Sequence, residues 1–168
     1  RTSNLIGAAI SASEGFVGQQ EIKLRPLLRT GELMELVPGM VATQHSGSGK
    51  ANQYFLRGFN LDHGTDFATF VDGMPVNMRT HGHGQGYTDL NFVIPELVET
   101  LAYKKGPYFT EIGDFSGAGS AFFSTPNRLE KGIASLTLGE DEYARILVAD
   151  SIDNLASGTL LYGLEKQV

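Results

Sequence analysis

The spacing of apolar residues changes along this chain, and each change predicts a different kind of element. Residues 1–20 mix small, apolar and polar side chains without a period and predict a loosely held lead-in. Leu33, Met34, Leu36 and Val37 then fall at helical spacing behind Thr30, the candidate N-cap, and Pro38-Gly39 ends that short helix. From Met40 the pattern turns β-like: Met40–Thr43 and Gln53–Arg57 read as strands about a Ser46–Gly49 turn. Phe67–Val71 is a further strand, closed by the hairpin signal Asp72-Gly73 before Met74–Val76 resumes. Arg79–Asp89 is a polar, glycine-rich loop. Leu90–Leu97 reads as partly buried, with Pro95 as a helix start, and Val98–Tyr103 as a strand halted at Gly106-Pro107. After Pro126 the texture changes once more. Gly132–Leu138, Tyr143–Ala149 and Leu155–Leu164 are β-like runs joined by the polar turns Glu140–Glu142 and Ser151–Asn154. Up-and-down antiparallel strands are the simplest assignment, after a boundary near Asn127–Lys131.

Composition narrows the classes. At 168 residues the chain suffices for one domain, or one domain and part of another. Its 41% hydrophobic and 19% charged residues suit a packed chain rather than a disordered one. The 21 glycines follow no repeat, which favours tight turns over a collagen-like or low-complexity segment. A net charge of −6 without a basic run excludes the phosphate-binding patch that a nucleic-acid partner needs. The absence of cysteine removes disulfides and thiolate chemistry. No run approaches the roughly 20 apolar residues of a membrane-spanning helix, which leaves β-barrel residence open. The chain opens on Arg1 without a basic, apolar and small-residue leader, and it reads as a mature or truncated piece.

One ordered set of motifs covers residues 33–125. Leu33-x-x-Leu36-Val-Pro-Gly39 is followed by Leu56-Arg-Gly-Phe59 and Val71-Asp-Gly-Met-Pro-Val76, then Glu99, Gly106-Pro107, Gly113, Ala118-Gly119 and Thr125. In order and spacing this set resembles the plug of TonB-dependent outer-membrane receptors. Three departures mark a divergent branch: Lys105 where the family usually has Arg, Ala102 where it often has a second acid, and Ser120–Ser124 where it has a glycine-rich ending. The resemblance implies an α+β fold: residues 1–130 as a small mixed-sheet plug with short helices, lodged in a roughly 22-stranded barrel. Residues 131–168 would be the first antiparallel strands of that transmembrane barrel, with edges free to self-associate. It further implies gated import of a small molecule or metal chelate, a TonB-type energy-coupling protein as partner, and an outer-membrane location. No cofactor is implied.

Within that frame Arg57 and Lys105 are expected to contact carboxylates on the barrel wall, with Glu99 as the plug's own internal partner for one of them. A local pairing of Arg57 with Asp62 or Asp66 is the alternative. The loop residues Arg79, His81, His83, Gln85 and Tyr87 are the candidate substrate contacts, since apical plug loops of the family touch cargo. His81 and His83 share a side in an extended backbone and can hold one metal with Asp89 or Asp62, or they hydrogen-bond locally. A metal-dependent hydrolase or lyase built on them, and a stand-alone envelope interaction module, are the competing functions. Against the enzyme stand the missing third histidine and the absence of a Ser/His/Asp arrangement or a phosphate loop. His45 and His63 stand too isolated in sequence to interpret, and the Glu140–Glu142 turn reads as a solvated connection rather than a calcium site.

Overall fold

The computed structural model describes residues 7–27, 29–44, 49–155 and 158–168. The chain forms two compact units, residues 1–125 and 126–168. His45 and most of the expected Ser46–Gly49 turn lie outside the described residues.

The first unit is built on a mixed six-stranded sheet. Its strands are β1 (Gly7–Ala9), β2 (Glu14–Gly18), β6 (Phe67–Val71), β7 (Met74–Pro75), β8 (Thr100–Lys105) and β9 (Gly119–Ser124), in the order β1-β2-β8-β9-β6-β7. A second, three-stranded sheet joins β3 (Met40–Thr43), β4 (Gln53–Leu56) and β5 (Phe59–Leu61). Leu33, Met34, Leu36, Tyr54, Leu56, Leu61, Phe67, Leu101 and Phe123 meet in the common core.

Several elements differ from the sequence expectation. Residues 7–20 are not a loose lead-in: β1 and β2 extend the sheet, with Val17 buried, and helix α1 (Gln19–Leu24) follows. Gly15 permits this docking, because a Cβ there would lie 2.5 Å from the Tyr103 hydroxyl. Thr30–Leu36 is a 3₁₀ helix, and Thr30 is its first residue rather than its cap. The Arg29 N–H donates to Glu32 Oε2 at 3.2 Å, closing its first turn. Pro38-Gly39 leaves no length for an α-helix, and Gly39 takes φ +86° to start the return. β9 was not foreseen. Its burial on both faces, with Ser120, Ala121 and Phe123 all enclosed, hides the alternation that reveals a half-exposed strand.

The Asp72-Gly73 turn forms as expected, both residues having positive φ. The Asp72 carboxylate also accepts from the Thr125 N–H at 2.8 Å and the Thr125 hydroxyl at 2.7 Å, tying the hairpin to the end of β9.

The second unit is a three-stranded antiparallel sheet of β10 (Ile133–Leu138), β11 (Ala144–Leu155) and β12 (Gly158–Gln167). The expected polar turn at Ser151–Asn154 is instead strand, carried through a register shift between Ile152 and Leu155. The one acid in that expected turn is used there: Asp153 pairs with Arg128 at 3.0 Å and accepts from Thr159 at 3.0 Å. The two faces segregate. Leu136, Ile146, Val148, Ile152, Leu160 and Leu164 are exposed on one, in register across the strands. Arg145 and Glu165 form a two-point ion pair on the other, at 2.8 and 2.9 Å.

Candidate ligand loop and cationic edge

β6 and β7 form a tight hairpin, so the chain leaving β7 runs back past the start of β6. Asn77 holds that return in place. Its carbonyl accepts from the Thr69 N–H at 2.7 Å, and its amide reaches the carbonyls of Gly64, Phe67 and Gly86 at 3.1–3.3 Å. Met78 and Tyr87 then bridge, closing residues 79–86 into a loop with a fixed base.

Tyr87 is the floor of this loop. It is 6% exposed, and its hydroxyl accepts from the buried Ala51 N–H at 2.7 Å. His81 stacks on its ring with centroids 3.8 Å apart and planes 15° apart. His63 stacks at 5.5 Å, and His83 lies 5.7 Å away, 5.5 Å from His81 and 5.1 Å from His63. Arg79, His81, His83 and Gln85 are exposed. The predicted loop residues therefore divide: four present polar groups to solvent, and Tyr87 supports them from below. Tyr54 is buried beside Tyr87 and Asp89. Burial first, then those two neighbours, pushes its phenol well above the ordinary range.

His63 is the member that sequence reading passed over. Nothing in its flanks ties it to His83; only the β6–β7 return brings the two together. Its backbone is left-handed, at φ 53° and ψ 29°, and its carbonyl accepts from the Thr88 N–H at 2.8 Å. Among the described residues no three His, Asp or Glu side chains already converge on a common metal position.

Two cations gather at the β1–β2 turn. Arg57, first residue of the left-handed Arg57-Gly58 turn between β4 and β5, donates to the Ala12 carbonyl at 3.0 Å and the Ser13 hydroxyl at 3.4 Å. The expected local pairing with Asp62 or Asp66 is not what it makes. Lys105 is buried, with Nζ 3.2 Å from the Pro38 carbonyl. Burial, and then the nearby Arg57 charge, lower its pKa. Glu99 partners neither. It is exposed at the opposite end of β8 from Lys105, roughly 20 Å away along an extended strand.

The sheet register gives this unit two distinct ends. Phe67 pairs with Gly119, Gly119 with Lys105, and Lys104 with Glu14, so the His63 turn, Lys105 and the β1–β2 turn share one end. Val71 pairs with Phe123, Phe123 with Leu101, Leu101 with Val17 and Val17 with Gly7, so the Asp72 turn, Glu99, the start of β1 and the exit from β9 share the other.

Comparison with known proteins supplies a family. The TonB-dependent receptor plug domain signature matches residues 7–120. The vitamin B12 transporter BtuB of Vibrio vulnificus (strain CMCP6) is 26% identical over 136 residues, spanning 80% of this chain and 21% of that protein. The siderophore receptor PirA of Acinetobacter baumannii superposes with a TM-score of 0.68 at 18% identity, over 94% of this chain and 24% of its own. A mutant of the ferric enterobactin receptor PfeA from Pseudomonas aeruginosa gives 0.68 at 19%, over 94% and 25%. The chain thus spans about a quarter or less of the length of these relatives.

Proposed function

The chain belongs to the TonB-dependent receptor plug domain family, and from that premise we propose that it gates an outer-membrane importer of a scarce nutrient, such as a ferric siderophore or another metal chelate. The two-ended sheet is the observation that carries this reading. Cargo arriving at Arg79, His81, His83 and Gln85, with Tyr87 beneath them, meets one end of the unit. A TonB-type energy-coupling protein acting through the chain ahead of β1 loads the other end. Binding and pulling are thereby separated by the length of the sheet, as a gate requires. No bond is made or broken; differential affinity between closed and open states does the work. The relatives are a transporter and receptors, which points away from the hydrolase, lyase and stand-alone module readings.

Residues 1–130 fill the barrel in this reading and residues 131–168 begin its wall. The exposed apolar face of β10–β12 would meet lipid, and the Arg145–Glu165 face the lumen. Arg57 and Lys105 would pair with wall carboxylates, since among the described residues of their own unit they reach neutral oxygens. Cell fractionation with antibody to the chain tests the reading. An outer-membrane band far larger than 18.1 kDa with heat-dependent mobility is expected, whereas a soluble band of the chain's own size refutes it.

A further inference from the structure

We propose that His63, His81 and His83 form a recognition site for a divalent first-row transition cation, taken as the free ion or within a chelate that has open coordination positions. The inference rests on the receptor reading and names the cargo chemistry of its loop. Three of the protein's four histidines meet here, although the chain between His63 and His81 contains two strands and their turn.

The spacing of His83 from each of the other two rings fits a shared ion. An imidazole nitrogen bound at about 2.0–2.1 Å puts its ring centre about 3.2 Å from the metal, so two ligands at a tetrahedral angle stand about 5.2 Å apart. His83 lies 5.1 Å from His63 and 5.5 Å from His81. His63 Nδ1 is 2.8 Å from Asp62 Oδ1, and His81 Nδ1 accepts the His83 backbone N–H at 3.2 Å. The Asp62 carboxylate lies beside His63 Nδ1, whereas coordination through His81 Nε2 requires that ring to leave its contact with the His83 N–H.

The backbone beneath is set and the donors above are adjustable. His63 is a buried non-glycine residue in the left-handed region, a strained conformation of the kind that concentrates at functional sites. Tyr87 and the Asn77 network fix the loop base, while His81 and His83 are exposed and turn once His81 leaves the Tyr87 ring and the His83 N–H. The donors do not converge beforehand among the described residues, so the site closes by rotation of these two rings around the ion. Imidazole donors select zinc, nickel or copper over magnesium or calcium.

The test titrates the full-length protein in detergent with Zn²⁺ and Ni²⁺ by calorimetry, and with Cu²⁺ under electron paramagnetic resonance. One saturable equivalent is expected, weakened at least about tenfold in His81→Ala/His83→Ala. The nitrogen count in the Cu²⁺ spectrum is expected to fall from three to two in His63→Gln. Both substituted residues of the double variant are exposed, so it decides the matter even where His63→Gln fails to fold. Repeating the titrations with citrate complexes separates the sources: affinity for the bare ion identifies the free cation, and affinity for the complex alone identifies a chelate. Equal affinity in parent and double variant, or no saturable binding in either form, overturns the site. Heat-dependent mobility of the same samples reports the receptor reading separately, so a failed metal site in an intact barrel leaves that reading standing.

Discussion

Replacing Tyr87 by Phe removes one oxygen from beneath the histidine cluster and leaves its packing in place. The Phe ring occupies the same volume, so no cavity opens, and His81 keeps its stacking partner at 3.8 Å. What is lost is the acceptor for the Ala51 N–H, which sits 2.7 Å away on a residue only 1% exposed. A buried donor stripped of its partner costs about 1–3 kcal/mol. At about 1.4 kcal/mol per factor of ten, the Ala51 amide should exchange with solvent about five- to a hundredfold faster in native full-length protein. Tyr108→Phe is the control, because its ring is 76% exposed and the change should stay within about 0.5 kcal/mol. Native-state hydrogen exchange followed by mass spectrometry reads both variants. Should the Ala51 amide exchange at the parent rate in Tyr87→Phe, the Tyr87 hydroxyl is not its buried acceptor and the account of the loop floor fails.

Three further outcomes follow from the same geometry. Asp72→Ala should cost about 1.5–3 kcal/mol by removing the carboxylate that holds Thr125, with Asp72→Asn milder; limited proteolysis near Pro126 should report the release. Gly119→Ala should be worse than Gly73→Ala by about 1–3 kcal/mol in denaturant titration, and equal losses would refute this. Both glycines have positive φ, but a Cβ at Gly119 would lie 2.3 Å from the Lys104 carbonyl, whereas Gly73 has open space. Burial of Lys105 makes the folded unit bind its proton less tightly than the unfolded chain, so stability should rise with pH up to the unfolded value near 10.5, and Lys105→Met should flatten that rise.

What the sequence disclosed was local. The Asp72-Gly73 hairpin, the stop at Pro38-Gly39 and the β4 strand each announce themselves within a few residues, through turn chemistry or apolar patterning. Elements buried on both faces, or stabilised only by distant partners, did not. β9 lacks alternation because Ser120 and Ala121 are as enclosed as Phe123. β2 docks because Gly15 lets Tyr103 approach, and that contact is invisible from residues 1–20. The candidate site follows the same rule. His81, His83 and Tyr87 share one loop and could be read together, whereas His63 joins them only through the β6–β7 return. Glu99 shows the converse: motif order suggested a partner for Arg57 or Lys105, and six residues of extended strand keep it from Lys105.

Arg57 and the Lys105 backbone acquire a second role once loading is considered. Among the described residues β1 pairs in the sheet with β2 alone, and its first residue lies at the end away from the histidine loop. A pull on Gly7 along the proposed direction draws β1 past β2 in shear, against the short register of Gly7–Ala9. Once β1 has slipped, tension passes to the turn at Ala12 and Ser13. That turn is held by the Arg57 guanidinium on the Ala12 carbonyl and the Ser13 hydroxyl, and by the Lys105 N–H on the Ser13 carbonyl at 2.7 Å. The strands beyond cannot begin to peel from the Glu14 end while these bonds hold, because Glu14 pairs with Lys104 immediately below them. Arg57 and Lys105 therefore stand where the pull from one end of the sheet would reach the other, which is also the end that carries the histidine loop. In the proposed gate, the Arg57 guanidinium and the Lys105 main-chain N–H would set how much force the plug bears before that end is disturbed.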